Sequence, residues 1–259
     1  MAKYFSVFIV VCAMLILPAQ TSVCAAKGEW GLTYPAPGAK PEGNASAEYL
    51  KTMDAYYVDE TDEKVVYLTF DAGYEGGQTA SILDTLKKHN VPAAFFLVGT
   101  YIRSNPDLVN RMIKEGHIVA NHTMKHPNIS KMATEAAFKQ ELSQVEAIHQ
   151  AVTGQALSKF YRPPCGGYDE ANIRMAQALG YKTMFWSLAY ADWDKNAQPS
   201  REAAFAKLIP RLHPGAILLL HSTSQTNADI LGDLIKEYHT LGYTFKSLEA
   251  FGAKADENS

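Results

Sequence analysis

Apolar residues along this chain follow two alternating rhythms. Short, mostly apolar runs at 65–70, 93–98, 117–120, 159–161, 182–187, 216–220 and 243–246 have the length of strands. Between them, apolar positions spaced three and four apart predict helices over 78–89, 106–115, 134–152, 170–179, 201–212 and 227–241. The clearest is 134–152, with Phe138, Leu142, Val145 and Ile148 on one face and Thr134 placed to cap it. Gly116, Gly154, Gly180 and Gly242 close helices where a left-handed residue is wanted. Strands alternating with helices predict a parallel sheet, and wholly apolar strands predict burial on both faces. Six or seven such α/β units favour a closed or nearly closed (β/α) barrel over an open sheet.

The first residues read differently. Lys3 precedes an apolar run from Phe5 to Leu17, which has signal-peptide length and is short for a bilayer span. Cleavage is expected after Ala25 or Ala26, with an uncleaved anchor or a lipidated Cys24 as alternatives. The chain divides into a signal peptide (1–26), an extended arm rich in Pro, Gly and Ala (27–60) and one domain (61–255). The domain is expected outside the cytoplasm, secreted, monomeric, and free of the membrane once the signal is cut. A formal net charge of -3 offers no footprint for nucleic acid. Cys165 is alone after position 26, so no intrachain disulfide is expected and the apolar core must supply stability.

Polar residues follow the strands in series. Asp71 follows Phe70, His122 follows the run ending at Ala120, Arg162 follows Tyr161, Asp192 lies just beyond Ser187, and His221 follows Leu220. In a (β/α) barrel the strand C-termini converge on one face, where active sites sit. Each residue alone is explained as a cap, a turn or a satisfied core group; five in series point to one cleft. His122 and His126, four apart, suit a shared metal if the turn between them is helical. Nitrogen ligands suit zinc, and also cobalt or manganese. Asp71 is a candidate general base, and Pro163 and Pro164 stiffen the chain behind Arg162.

Five segments together resemble the polysaccharide deacetylase family (NodB-homology domain, carbohydrate esterase family 4): Thr69-Phe70-Asp71, His122 to Pro127, Arg162-Pro163-Pro164, Asp192-Trp193 and Leu218 to His221. The resemblance runs from Val65 to Phe251 and implies a distorted (β/α) barrel of about seven units. It implies Asp71 as catalytic base and His221 as general acid, with Arg162 and Asp192 supporting them. It also implies His122 and His126 as ligands of a divalent metal. Tyr74, Pro164, Trp193 and Leu219 are expected to touch substrate, Leu219 at the acetyl methyl. One departure matters: most members carry a second Asp, a metal ligand, where this chain has Ala72. Weakly held metal is therefore expected. Ala72→Asp should tighten it unless Glu75 or another group already fills the position.

The segment Phe70 to Gly76 resembles the delta-lactam-biosynthetic de-N-acetylases, which act on muramic acid in spore-cortex peptidoglycan. The expected activity is therefore de-N-acetylation of an amino sugar in a peptidoglycan strand. The alternatives are an N-acetylglucosamine deacetylase on peptidoglycan or chitin and, from another class, a non-catalytic wall-binding protein.

Overall fold

The computed structural model describes residues 27–132 and 134–253; the expected signal segment, with Cys12 and Cys24, lies outside the described residues. The chain opens with three short strands, β1 (Lys27–Glu29), β2 (Leu32–Thr33) and β3 (Glu42–Gly43), then helix α1 (Ala47–Lys51) and strand β4 (Ala55–Tyr56). The alternating region follows: β5 (Val65–Ala72), α2 (Thr79–His89), β6 (Ala94–Leu97), α3 (Gly99–Ser104), α4 (Pro106–Lys114), β7 (Ile118–Asn121) and α5 (Glu135–Thr153). After it come β8 (Phe160–Tyr161), β9 (Gly167–Asp169), α6 (Glu170–Ala178), β10 (Lys182–Met184) and β11 (Leu188–Ala189). The last elements are α7 (Arg201–Leu208), β12 (Ala216–His221), α8 (Gln225–Thr240) and β13 (Thr244–Phe245).

Nine strands form one sheet in the order β11-β12-β5-β6-β7-β8-β10-β4, with β13 beside the start of β5. Every pairing in it is parallel. The sheet curls until its edges approach: β10 runs through Phe185–Ser187 into β11, and the chain beyond β4 bridges Val58 to Ala216 at the start of β12. The result is the distorted (β/α) barrel. Among the described residues, no helix is long and apolar enough to cross a membrane.

Alternation along the strands sorts side chains into two layers. Val66, Leu68, Phe70 and Ala72 point outward into the large core under the helices, with Leu83, Phe95, Leu218, Leu220 and Leu234. Val65 and Tyr67 point inward with Phe96, Ile118, Ala120, Met184 and Ile217, filling the barrel. The period of two is strict in a strand. It carries the inward row of β5 to Asp71, that of β7 to His122, that of β8 to Arg162 and that of β12 to Leu219 and His221.

Helix and strand boundaries agree with the sequence patterns to within a few residues, and Thr134 caps α5 through its side chain. Helix α7 stops at Leu208, short of the expected 212: Ile209 keeps helical backbone, but Pro210 has no N–H to continue the ladder. The six-residue α3 carries no apolar period and went unread. Residues 27–60, expected as an extended arm, are folded onto the barrel. β1 pairs antiparallel with β9, and β4 joins the main sheet. Trp30 is buried, its ring 4.7 Å from Phe185, and its Nε1 donates to the Trp186 carbonyl at 2.9 Å. The scattered anchors Trp30, Leu50, Met53 and Ala55 do this without any regular spacing.

Candidate active site

The inward row ends at the strand C-termini in a cleft of about 600 Å³ whose lining includes Asp71, Tyr74, His122, His126, Trp193, Leu219 and His221. Register sets the geometry: His221 of β12 lies directly opposite Asp71 of β5. Beneath them Arg162 is fully buried, lying 4.1 Å over the Phe96 ring. Its Nε donates to the Met184 carbonyl at 2.8 Å and one terminal nitrogen donates to the Phe185 carbonyl at 3.1 Å. The other donates to Thr69 Oγ1 at 2.9 Å and to Asp71 Oδ1 at 2.8 Å. Four acceptors around one guanidinium fix its plane, and with it the Asp71 carboxylate.

Burial works against ionisation of Asp71, but Arg162, His122 and His221 outweigh it and hold the carboxyl below its ordinary range. His122 lies against the Arg162 carbonyl, Nδ1 to O 2.8 Å, so Nδ1 carries the proton and donates. Nε2 is left with a lone pair, 3.6 Å from Asp71 Oδ2. Burial lowers the His122 pKa to about 4 against the pull of Asp71, so the ring is neutral at pH 7.

Opposite stands a second pair. His221 Nδ1 lies 2.7 Å from Asp192 Oδ1, and the His221 backbone N–H donates to Asp192 Oδ2 at 2.8 Å. Asn227 Nδ2 also donates to Asp192 Oδ2, at 2.6 Å, and to the His221 carbonyl at 3.0 Å. Burial alone would lower the His221 pKa. The Asp192 carboxylate, with help from Asp71, reverses this and raises it. The cleft thus holds one group whose deprotonated form is favoured and one whose protonated form is favoured, the division that acid–base catalysis requires.

The His122–His126 turn is not helical, contrary to the condition attached to the four-residue spacing. Thr123 (φ 68) and His126 (φ 57) adopt left-handed backbone, which folds the loop so that the two rings meet with centroids 4.9 Å apart. Leu219 is buried in the cleft floor, while Tyr74 (49% exposed) and Trp193 (61% exposed) stand at its rim. Pro164 is buried, and Cys165 and Gly166 form that stretch of wall. Glu75 does not reach toward the histidines. Its Oε2 accepts from Thr79 Oγ1 at 2.6 Å and from Tyr101 Oη at 2.8 Å, and its Oε1 accepts from the Gly77 N–H at 2.6 Å.

Sequence reasoning gave no role to Thr69, Asn227, Glu29 or Trp186. Thr69 was readable, since it sits two residues before Asp71 on the same inward row. Glu29 lines the cleft from β1, which only the pairing with β9 brings there.

The donor set fits a divalent cation. Two neutral imidazoles offer borderline nitrogen donors, and the second oxygen of Asp71 stands beside one of them. Among the described residues no group of three or more His, Cys, Asp or Glu side chains is arranged to hold a metal by itself. Ala72 supplies no ligand, its methyl lying in the helix-side core.

The chain is similar to known proteins in sequence and in fold. The polysaccharide deacetylase family model matches residues 58–184. The peptidoglycan-N-acetylmuramic acid deacetylase PdaA of Bacillus subtilis is 41% identical over 200 residues, covering 77% of this chain and 76% of that protein. The solved structure of Bacillus subtilis PdaA, described as a family 4 carbohydrate esterase, matches with a TM-score of 0.81 at 39% identity, covering 86% of this chain and 95% of that one. A family 4 carbohydrate esterase from Bacillus anthracis matches with a TM-score of 0.69 at 39% identity, covering 81% and 94%.

Proposed function

The chain belongs to the polysaccharide deacetylase family, and on that footing we propose that it hydrolyses the N-acetyl group of muramic acid residues in peptidoglycan outside the cytoplasm. The observation that carries this reading is the pair of oppositely tuned groups facing one cleft, Asp71 with Arg162 and His221 with Asp192. The relative of known activity with 41% identity acts on the same sugar.

Asp71, kept ionised by Arg162, accepts a proton from the attacking water. His221, whose protonated form Asp192 favours, donates from Nε2 to the departing amine nitrogen. The C–N bond breaks, and acetate and a free amine leave. Each proton transfer of this kind contributes roughly 10²–10⁴ in rate. Leu219 and Trp193 wall the cleft where an acetyl methyl would lie, and Tyr74 and Trp193 offer exposed rings to sugar faces. A divalent ion held by His122 and His126, zinc in our reading, would supply Lewis-acid polarisation of the acetamide carbonyl. In muramic acid the freed amine stands near the lactyl carboxyl, so the product is one that can close to the delta-lactam of spore cortex.

Mass spectrometry of defined glycan fragments, incubated with the protein with and without added zinc, tests the reading. Loss of acetyl from muramic acid is expected. Loss from N-acetylglucosamine alone would replace the proposed substrate. No loss from either sugar, with folded protein and metal supplied, would favour a wall-binding protein without catalysis.

A further inference from the structure

His126 is exposed, and among the described residues its ring has no hydrogen-bond partner beyond its own backbone, so the course of that backbone decides where the ring points. That backbone is unusual. Two of the five residues from His122 to His126 have positive φ without being glycine, a conformation that neighbours must enforce. The N–H groups of this loop are held by side chains. Thr123 donates to Asn121 Oδ1 at 2.9 Å, and His126 donates to Thr123 Oγ1 at 3.0 Å. Between them, Met124 and Lys125 both donate to one oxygen, Glu141 Oε2, at 2.9 Å each.

Glu141 lies on α5, 15 residues beyond His126. Its neighbour Leu142 fixes the same loop from below: the Leu142 carbonyl accepts from Asn121 Nδ2 at 3.1 Å. On the opposite side the Gly99 N–H donates to the Thr123 carbonyl at 3.0 Å, and a side chain at Gly99 would collide with Met124. The loop is pinned from two helices, and among the described residues the carboxylate is the only charged clamp. Two successive N–H groups converging on one anionic oxygen form the kind of concavity that binds anions. Here the anion is built into the chain.

We infer that Glu141 is a positioning residue for the metal-binding pair, holding the His122–His126 loop so that the exposed His126 ring meets His122. The inference rests on the reading of these histidines as metal ligands. Glu141 touches neither ring, so it acts on the metal only through the backbone of Met124 and Lys125. Partners outside the ligand set commonly change metal affinity about 10–100-fold when removed.

Zinc chloride titrated by calorimetry into the full chain tests this, with melting temperature in chelator as the control for the fold. Glu141→Ala is expected to weaken zinc binding about 10–100-fold. Glu141→Gln keeps the accepting oxygen but loses its charge, and is expected to lose about fivefold, since bonds to charged groups are the stronger. Its melting temperature in chelator should stay close to that of the parent. The Gln variant carries the test should the Ala variant not fold. Parent-like zinc affinity in either folded variant, alongside lost binding in His126→Ala, overturns the inference and leaves the metal reading standing. Parent-like binding in His126→Ala overturns the metal reading itself.

Discussion

Arg162→Met removes the charge at the centre of the site while keeping an unbranched side chain against Phe96. Four acceptors lose their donor: the Met184 and Phe185 carbonyls, Thr69 Oγ1 and Asp71 Oδ1. The decisive loss is at Asp71, whose carboxylate stays buried with only neutral His122 and the more distant His221 for company. Breaking a buried pair by deleting one partner costs about 3–5 kcal/mol. In a chain of this size that is a fall in melting temperature of roughly 6–20 °C. The sign with pH is also fixed. With Arg162 present, Asp71 is depressed, so its contribution is present above the unfolded carboxyl pKa of about 3.9 and is lost as pH falls through the folded value. Without Arg162, burial dominates, the folded pKa rises above the unfolded one, and acid now favours the folded variant. The stability gap should therefore narrow as pH drops from 7 toward 4. Adding Asp71→Asn removes the stranded charge and should recover much of the loss. Thermal unfolding by circular dichroism in chelator, run as a double-mutant cycle, measures this. A single variant within about 1 kcal/mol of the parent, or a double variant equal to the sum of the singles, would refute the argument.

Other outcomes follow from the same geometry. Asp71→Asn should fold and lose at least about 10² in turnover on acetylated glycan, as expected for a lost proton acceptor; undiminished turnover would remove Asp71 as base. Asp192→Asn removes the carboxylate that raises the His221 pKa, so the alkaline limb of the pH–rate profile should move to lower pH; an unmoved limb would show that His221 is not the acid. Ala72→Asp places a carboxylate in the helix-side core unless it turns toward the histidines. It should melt below the parent in chelator and gain more from added zinc, and equal behaviour in both conditions would show that position 72 neither perturbs that core nor faces a metal.

The barrel was legible because its strands are apolar on both faces and its helices periodic, each a local signal. Asp71, His122, Arg162 and His221 were legible because each ends a strand, and a parallel sheet brings strand ends to one rim. What the sequence hid is contact between segments far apart. Trp30 reaches Phe185 and Glu29 reaches the cleft through a pairing between residues 27–29 and 167–169 that no spacing announces. The His122–His126 turn was misread for a related reason. A helical turn is the local default for two residues four apart. In the loop that replaces it, left-handed Thr123 is held by Asn121, and Met124 and Lys125 are held by Glu141, which lies in a separate helix.

The two-layer arrangement of the strands has a consequence for which changes this protein can survive. Chemistry and core occupy alternate positions of the same short strands, Asp71 beside Ala72 and His221 beside Leu220. A point substitution alters one row only. Deleting or inserting a single residue within 65–70 or 216–220 exchanges the rows, because a one-residue slip turns every side chain to the other face. Asp71 would then be driven under the helices and Phe70 or Ala72 brought to the cleft. Length variation should therefore be confined to the loops and the outer ends of the helices, while these two strands keep a fixed number of residues however freely their apolar identities drift.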